Sequence, residues 1–335
     1  MLIFSVSRYR AGKFRRLDLL IGLVLSTALM LTSLYPNALN YLLGLFSFEP
    51  GYGGRLIGLL VLSNFVIYLF LLRLIGQTNS TERNLSRLVK AIAKAQYREE
   101  YRQNFESGTA PLQIIIPAYN EAENIGLVLQ KIPEQVLGLD VGVIVVVDGA
   151  TDRTEAIARG LNMPVVAHQI NRGGGAALKA GYELALEKQA QIVVTMDADG
   201  QHDPTEIADL VRPILEDEAD LVNGSRVLGH YEKDHQVRAA GVFWFNQLIS
   251  LLTWTRITDA SNAFRAVRAS ELTKLDLRQD QFHASELLID ALKKGLRVQE
   301  VPITIRRRFS GESKKPPSLK YGWGFAKAII TTWLR

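Results

Sequence analysis

Two carboxylates stand two residues apart in Asp197-Ala198-Asp199, directly after the β-branched run Ile192-Val-Val-Thr-Met196. Side chains alternate along an extended chain, so residues i and i+2 point the same way. Two acids on one side of a strand end repel each other unless a cation lies between them. Together they make a hard oxygen site suited to Mg²⁺ or Mn²⁺, with phosphate oxygens completing the shell. An ordinary acidic turn is the competing reading, and it fits less well because the preceding run reads as buried. Three more polar segments follow short apolar runs: Pro117-Ala-Tyr-Asn-Glu121, Asp148-Gly-Ala-Thr-Asp152 and Asn171-Arg-Gly-Gly-Gly175. Each is weak alone. Asp148-Gly149 suits a turn with a helix cap, and a glycine triplet suits the loose start of a helix.

The elements that must position these segments alternate in type. Residues 112–116, 141–147, 164–167 and 191–195 read as short strands, with a less definite fifth at 219–222. Helical patterns follow at 121–131, 151–161, 176–188 and 204–215. This alternation predicts an α/β domain, a mostly parallel sheet with helices on both faces. Ligands of such sheets bind beyond the carboxyl ends of the strands. The four polar segments therefore share one edge, and that convergence lifts them above their separate bland readings.

At these residues a resemblance becomes specific. The ordered set of four loops, ending in Asp197-Ala-Asp-Gly-Gln-His202, resembles the family 2 glycosyltransferases. Asp259-Ala-Ser-Asn-Ala-Phe-Arg265, Glu286-Leu-Leu, Gly295-Leu-Arg-Val-Gln-Glu-Val-Pro302 and Arg308-Phe-Ser-Gly-Glu-Ser-Lys314 are similar to the branch of dolichyl- and polyprenyl-phosphate sugar synthases. The resemblance implies a GT-A fold over 110–316. It also implies metal-dependent, inverting transfer of one sugar from a nucleotide-diphosphate sugar to polyprenyl phosphate. By the same resemblance Asp197, Asp199 and Gln201 hold the metal. Pro117, Tyr119, Asn120, Glu121, Asp148, Gly174, Lys179, Asp197 and Ala198 bind the donor. Asp259, Arg265, Arg308, Ser313 and Lys314 meet the acceptor or its phosphate. Asp199, Glu286 and Arg308 form the catalytic set, with Glu286 either a base or the orienter of a cation such as Arg308.

This sequence departs from the family pattern in two loops. Val147-Asp148-Gly149-Ala150 stands where many relatives have Asp-Asp-Gly-Ser, so Asp148 alone carries the acidic role there. Asn262-Ala263-Phe264-Arg265 replaces Ser-Gly-Phe-Arg, and the Cβ of Ala263 restricts the backbone. The Gln-x-x-Arg-Trp element of processive synthases is absent, which favours transfer of a single sugar. His202 and His283 read as structural. A hydroxyl acceptor needs a general base, whereas a phosphate acceptor is already anionic. A hydroxyl-bearing lipid or glycan is thus the alternative acceptor, and a catalytically dead nucleotide-sugar-binding scaffold is the alternative outside enzymology.

The rest of the chain concerns membranes. The 335 residues carry a net +5, divided into +7 over 1–109, −9 over 110–300 and +7 over 301–335. Basic ends around an acidic middle suit an anionic lipid surface rather than nucleic acid. There is no cysteine, which excludes disulfides, Cys-ligated zinc and thiol catalysis. Two uncharged apolar runs, at 19–35 and 56–72, predict a transmembrane hairpin within 1–76. A pair of buried core helices and a signal peptide are the competing readings. Lys and Arg flank the hairpin, whose turn at 36–54 carries neither, so both ends, and the catalytic domain, are expected on the cytoplasmic face. Residues 77–109 read as a connecting helix and linker. Residues 317–335, with Tyr321, Trp323, Phe325 and Trp333 among Lys320, Lys327 and Arg335, read as an interfacial helix with 242–254 beside it. A homo-oligomer is compatible with the sequence.

Overall fold

A computed structural model of the chain describes residues 52–102, 110–231, 236–310 and 319–335, with scattered positions between 23 and 35. Most of the first expected membrane segment lies outside the described residues, as do Ser313 and Lys314. The chain divides into two units, Met1–Glu82 and Arg83–Arg335.

Helix α1 (Tyr52–Glu100) runs through 49 residues. Its part within the first unit leaves Phe65, Ile67, Tyr68, Leu69, Phe70 and Leu71 exposed. Among the described residues no helix is long and apolar enough to cross a membrane.

The second unit is built on strands β1 (Leu112–Ala118), β2 (Gln135–Val136), β3 (Leu139–Asp148), β4 (Val165–His168), β5 (Ile192–Thr195), β6 (Leu221–Tyr231), β7 (Arg265–Arg268) and β8 (Val298–Ile305). They form one sheet in the order β2-β3-β1-β5-β7-β6-β8, with β4 also paired to β3. Pairs β4–β3, β3–β1, β1–β5 and β6–β8 are parallel. β7 runs antiparallel between β5 and β6, which makes the expected mostly parallel sheet a mixed one. The helices of this unit after α1 are α2 (Ile125–Leu129), α3 (Thr154–Gly160), α4 (Gly174–Glu187), α5 (Ile207–Leu215), α6 (Gln236–Thr253), α7 (Ala269–Leu272), α8 (His283–Lys293) and α9 (Leu319–Trp333).

The continuous apolar strands follow from burial on both faces. Ile115, Ile144, Val146 and Val193 enter one apolar layer, with residues of α4 and α8. Their neighbours Ile114, Ile116, Val145, Val147 and Val194 enter the opposite layer, with residues of α2 and α5. The period of two thus feeds two cores from one sheet. The first layer also takes in Ala93 and Tyr97 of α1, and Phe325 and Ile329 of α9. Lys94 pairs with Glu183 and Glu187 at 2.7 Å each, which fastens this half of α1 along α4.

Candidate active site

Sheet order brings the polar loops together. β3, β1 and β5 are adjacent and parallel, so the segments after them meet at one edge. Asp197 and Asp199 follow β5. Asp199 is buried. One of its oxygens accepts the backbone N–H of Gln201 at 3.0 Å, and the other pairs with Arg308 Nη2 at 2.7 Å. Burial above all, then the neighbouring Asp197, pushes the Asp199 carboxyl above its ordinary value; His202 and Arg308 act against that.

Arg308 belongs to the segment after β8, which lies over the acid pair. A second nitrogen of Arg308 is 3.6 Å from Glu121, in the loop after β1. Glu121 accepts from Asn124 at 2.7 Å, and Asn124 also donates to the Ser310 carbonyl at 3.2 Å. Gly200 makes the close cover feasible: its φ is +77°, and a Cβ there would run into the Phe309 ring. Gln201 donates from its side chain to the Arg306 carbonyl at 3.2 Å.

His202 is structural, as expected. The Asp197 N–H donates to its Nδ1 at 3.1 Å, so that nitrogen is unprotonated. Its Nε2–H then donates to Asn262 Oδ1 at 3.2 Å, and the ring stacks on Phe264 at 4.8 Å.

Among the described residues no three metal-ligating side chains cluster. Asp197 and Asp199 nevertheless fit a magnesium-like ion, which takes one or two carboxylates and fills its shell with water and substrate phosphate. Two like charges at a buried strand end call for a cation, and the Arg308 guanidinium provides one here.

Asp148 ends β3 and is buried. Its carboxylate accepts the backbone N–H groups of Arg172 at 3.0 Å and Gly173 at 2.6 Å, and pairs with His168 Nδ1 at 2.7 Å. It therefore ties the glycine-rich loop to the strand end. Gly149, at φ +65°, permits the close packing of that loop: a Cβ would meet the backbone of Ile170 and Asn171. Gly174 opens α4. Lys179, one turn on, pairs with Asp280 at 2.5 Å, and Arg172 is 3.7 Å from the same carboxylate. Asn120 lies in the left-handed region at φ 53° and accepts the Thr151 N–H at 2.7 Å. Tyr119 is exposed, Pro117 lies within β1 and Ala198 is buried in the core layer.

Three expected site residues are placed elsewhere. Arg265 is buried in β7, with Nη1 donating to the Ala284 carbonyl at 2.6 Å and Nη2 to the Asn262 carbonyl. Its neighbour Tyr182 has its phenol pushed up to about 12 by burial, and burial likewise lowers Arg265. It closes a core rather than meeting a phosphate. The Asp259 carboxylate is taken by Arg226, through Nε at 2.7 Å and Nη2 at 2.9 Å. Glu286 is buried and accepts the N–H groups of Arg278 at 2.9 Å and Gln279 at 2.8 Å, together with Arg335 at 2.9 Å. The cation it orients is therefore Arg335 rather than Arg308. Arg226, His168 and Asp280 escaped the sequence reading because each gains its meaning from a partner 20 to 101 residues away.

Residues 113–275 match the model of glycosyl transferase family 2. The chain is 34% identical over 222 residues to the UDP-N-acetylglucosamine–dolichyl-phosphate N-acetylglucosaminyltransferase of Methanococcus voltae, covering 59% of this chain and 87% of that protein. It is 33% identical over 231 residues to the undecaprenyl-phosphate mannosyltransferase of Micrococcus luteus, covering 65% and 92%. Among solved structures, glucosyl-3-phosphoglycerate synthase of Mycobacterium tuberculosis, crystallised with Mn²⁺, UDP and glucosyl-3-phosphoglycerate, superimposes with a TM-score of 0.53. It is 23% identical, covers 69% of this chain and 80% of that one, and shares the GT-A-like fold.

Proposed function

The chain belongs to glycosyl transferase family 2 and is a glycosyltransferase, and on that premise we propose that it transfers one sugar from a nucleotide-diphosphate sugar to polyprenyl phosphate. The observation that carries the reading is the acid pair Asp197 and Asp199 under Arg308. Glycosyl transfer breaks the bond to a nucleoside diphosphate, and negative charge grows on the leaving phosphate. Asp197 and Asp199 would hold a divalent ion there, which when bound would supply Lewis-acid stabilisation of that charge. Arg308, already at the acid pair, adds a bidentate donor for the same phosphate oxygens. Asp148 and the loop it holds, with Tyr119 and Asn120, form the wall for the nucleotide.

The acceptor assignment draws on Glu286. A hydroxyl acceptor requires proton removal, and the carboxylate expected for that task is occupied by Arg278, Gln279 and Arg335. A phosphate acceptor arrives ionised. The named relatives act on dolichyl and undecaprenyl phosphate, which supports the same choice. In this reading residues 1–76 hold the enzyme in the membrane as a hairpin, with the catalytic unit on the cytoplasmic face. The exposed apolar side chains of α1 from Phe65 to Leu71 support an anchor there.

The test is a panel of nucleotide sugars incubated with either polyprenyl phosphate or the matching polyprenol. Expected is transfer to the phosphate only, lost in EDTA and restored by Mn²⁺ or Mg²⁺. Equal or better transfer to the polyprenol, or full activity in EDTA, overturns the assignment.

A further inference from the structure

The stretch between α7 and α8, residues 273–282, lies against the start of α4. Leu275, Leu277 and Phe282 pack it onto the first apolar layer. Its backbone is held by two buried carboxylates of α8. Glu286 accepts the N–H groups of Arg278 at 2.9 Å and Gln279 at 2.8 Å, and Asp290 accepts that of Asp276 at 2.7 Å. Arg335 joins Glu286 to the same stretch, since it also donates to the Asp276 carbonyl at 3.3 Å. A buried carboxylate that meets backbone N–H groups and a guanidinium is satisfied and fixed in place. Residues 278–280 therefore keep one position.

The glycine triplet is built around that position. A Cβ on Gly173 would lie 2.6 Å from the Asp280 carbonyl oxygen, and one on Gly175 2.5 Å from that of Gln279. Two of the three glycines thus admit this stretch of backbone rather than a ligand. Gly174 is exposed, and a Cβ there would meet nothing within 4 Å. The Gly175 N–H, one of the donors that a helix start leaves over, goes to the Asp280 carbonyl at 2.9 Å. The Asp280 carboxylate takes Lys179 at 2.5 Å and lies 3.7 Å from an Arg172 nitrogen. Arg172 stands next to the positive end of α4, which disfavours a cation. Asp280 offsets it and Lys179 together.

We propose that Asp280 is a positioning residue for the sugar donor. Its carbonyl closes the start of α4 and its carboxylate holds Arg172 and Lys179, so the 171–175 loop meets a nucleoside diphosphate already ordered. Ordering a loop before binding removes that cost from the affinity. Glu286 acts on the donor through the same stretch, by way of the Arg278 and Gln279 N–H groups. The inference rests on the nucleotide-sugar reading and goes beyond it, because it puts control of donor affinity between α7 and α8, outside the four loops at the sheet edge.

The test is binding of UDP, GDP, ADP, CDP and dTDP with Mn²⁺ to the full chain, read by titration calorimetry with no acceptor present. The tightest of them serves for the variants. Asp280→Asn should lower its affinity about tenfold, and Lys179→Gln by a similar factor, because each removes one partner of a charge-assisted contact. The double variant should lose little more than the worse single one, since both act through one pair. Asp280→Glu, which keeps the carboxylate, should recover most of the loss. In the transfer assay Asp280→Asn should raise donor KM more than it lowers kcat. Unchanged or tighter binding by Asp280→Asn overturns the proposal, as do losses that simply add in the double variant. If Asp280→Asn does not fold, unchanged binding by Lys179→Gln overturns it equally. A wild-type chain that binds none of the five nucleotides overturns the nucleotide-sugar reading and this proposal with it, whereas wild-type binding that the variants leave intact overturns the positioning role alone.

Discussion

Asp148 ends β3 and Asp199 follows β5 at the same edge of one sheet, and both are buried, yet their surroundings differ in kind. Asp148 meets two backbone N–H groups and a histidine, all from the six residues 168–173. Asp199 meets one backbone N–H and the guanidinium of Arg308, which arrives from the far end of the domain. Backbone donors cannot leave without unfolding the loop that carries them. A guanidinium on a long side chain can leave, and another cation can take its position. The difference separates a carboxylate that fastens a loop from one whose partner a ligand's cation can replace, although the two look alike as letters.

Substitution tests this contrast most strongly at Asp199. Asp199→Asn should lower turnover about a hundredfold or more, on the order of the ~3 kcal/mol typical of lost electrostatic stabilisation. Steady-state rates at saturating Mn²⁺ measure the effect. The melting temperature without metal should stay level or rise, because the change removes a charge that burial and Asp197 disfavour. A clear loss of stability with intact rates would place Asp199 in the structural class with Asp148.

At Asp148 the order of effects reverses. Asp148→Asn turns an amide N–H₂ toward donors that need an acceptor, which should cost about 2–3 kcal/mol of folding stability. Denaturant unfolding reads that loss. Donor KM should rise through the loosened 171–175 loop, with kcat less affected. An unchanged midpoint would mean that the loop is held by other contacts.

The smallest effect is expected at Asp220, on the far side of the domain from this comparison. Its carboxyl is held down to about 2, chiefly by hydrogen bonding to Arg297, with burial acting against it and Arg268 assisting. Arg297 is largely in solvent, which screens the pair. Asp220→Asn should lower the melting temperature by about 3 °C or less. The folded value lies below the ordinary 3.8, so the stabilisation is present above about pH 4 and disappears as pH falls through 2. Melting curves of the two proteins should converge over that window. A difference that persists at pH 2 would show that packing, not charge, is responsible.

What the sequence made legible follows the same division. Central strands buried on both faces write themselves as β-branched runs, and the loops after them are necessarily co-located once the sheet is parallel. β1, β3, β4 and β5, and the meeting of Asn120, Asp148, Asp197 and Asp199, were readable for that reason. β7 was not, because Arg265-Ala-Val-Arg268 has charged ends, and its antiparallel insertion depends on pairing with β5 and β6. Arg265 itself looked like a ligand-binding cation because it closes the motif Asp259–Arg265 that carries the family resemblance. The carbonyls of Asn262 and Ala284 that satisfy it carry no side-chain signature. Asp259 and Glu286 misled in the same way: a carboxylate in a motif shows its chemistry but not its partner.

The path of α1 sets where this protein can be cut. Ala93 and Tyr97 are part of the catalytic unit's own core, and Lys94 is clamped by Glu183 and Glu187. A shortened chain starting at the first strand, near residue 110, would open a hole lined by α4 and should aggregate when expressed. Starting at Arg83, where the second unit begins, keeps that surface covered, so a truncation for crystallisation or screening should retain the last five turns of a helix that looks, from its first half, like something to discard.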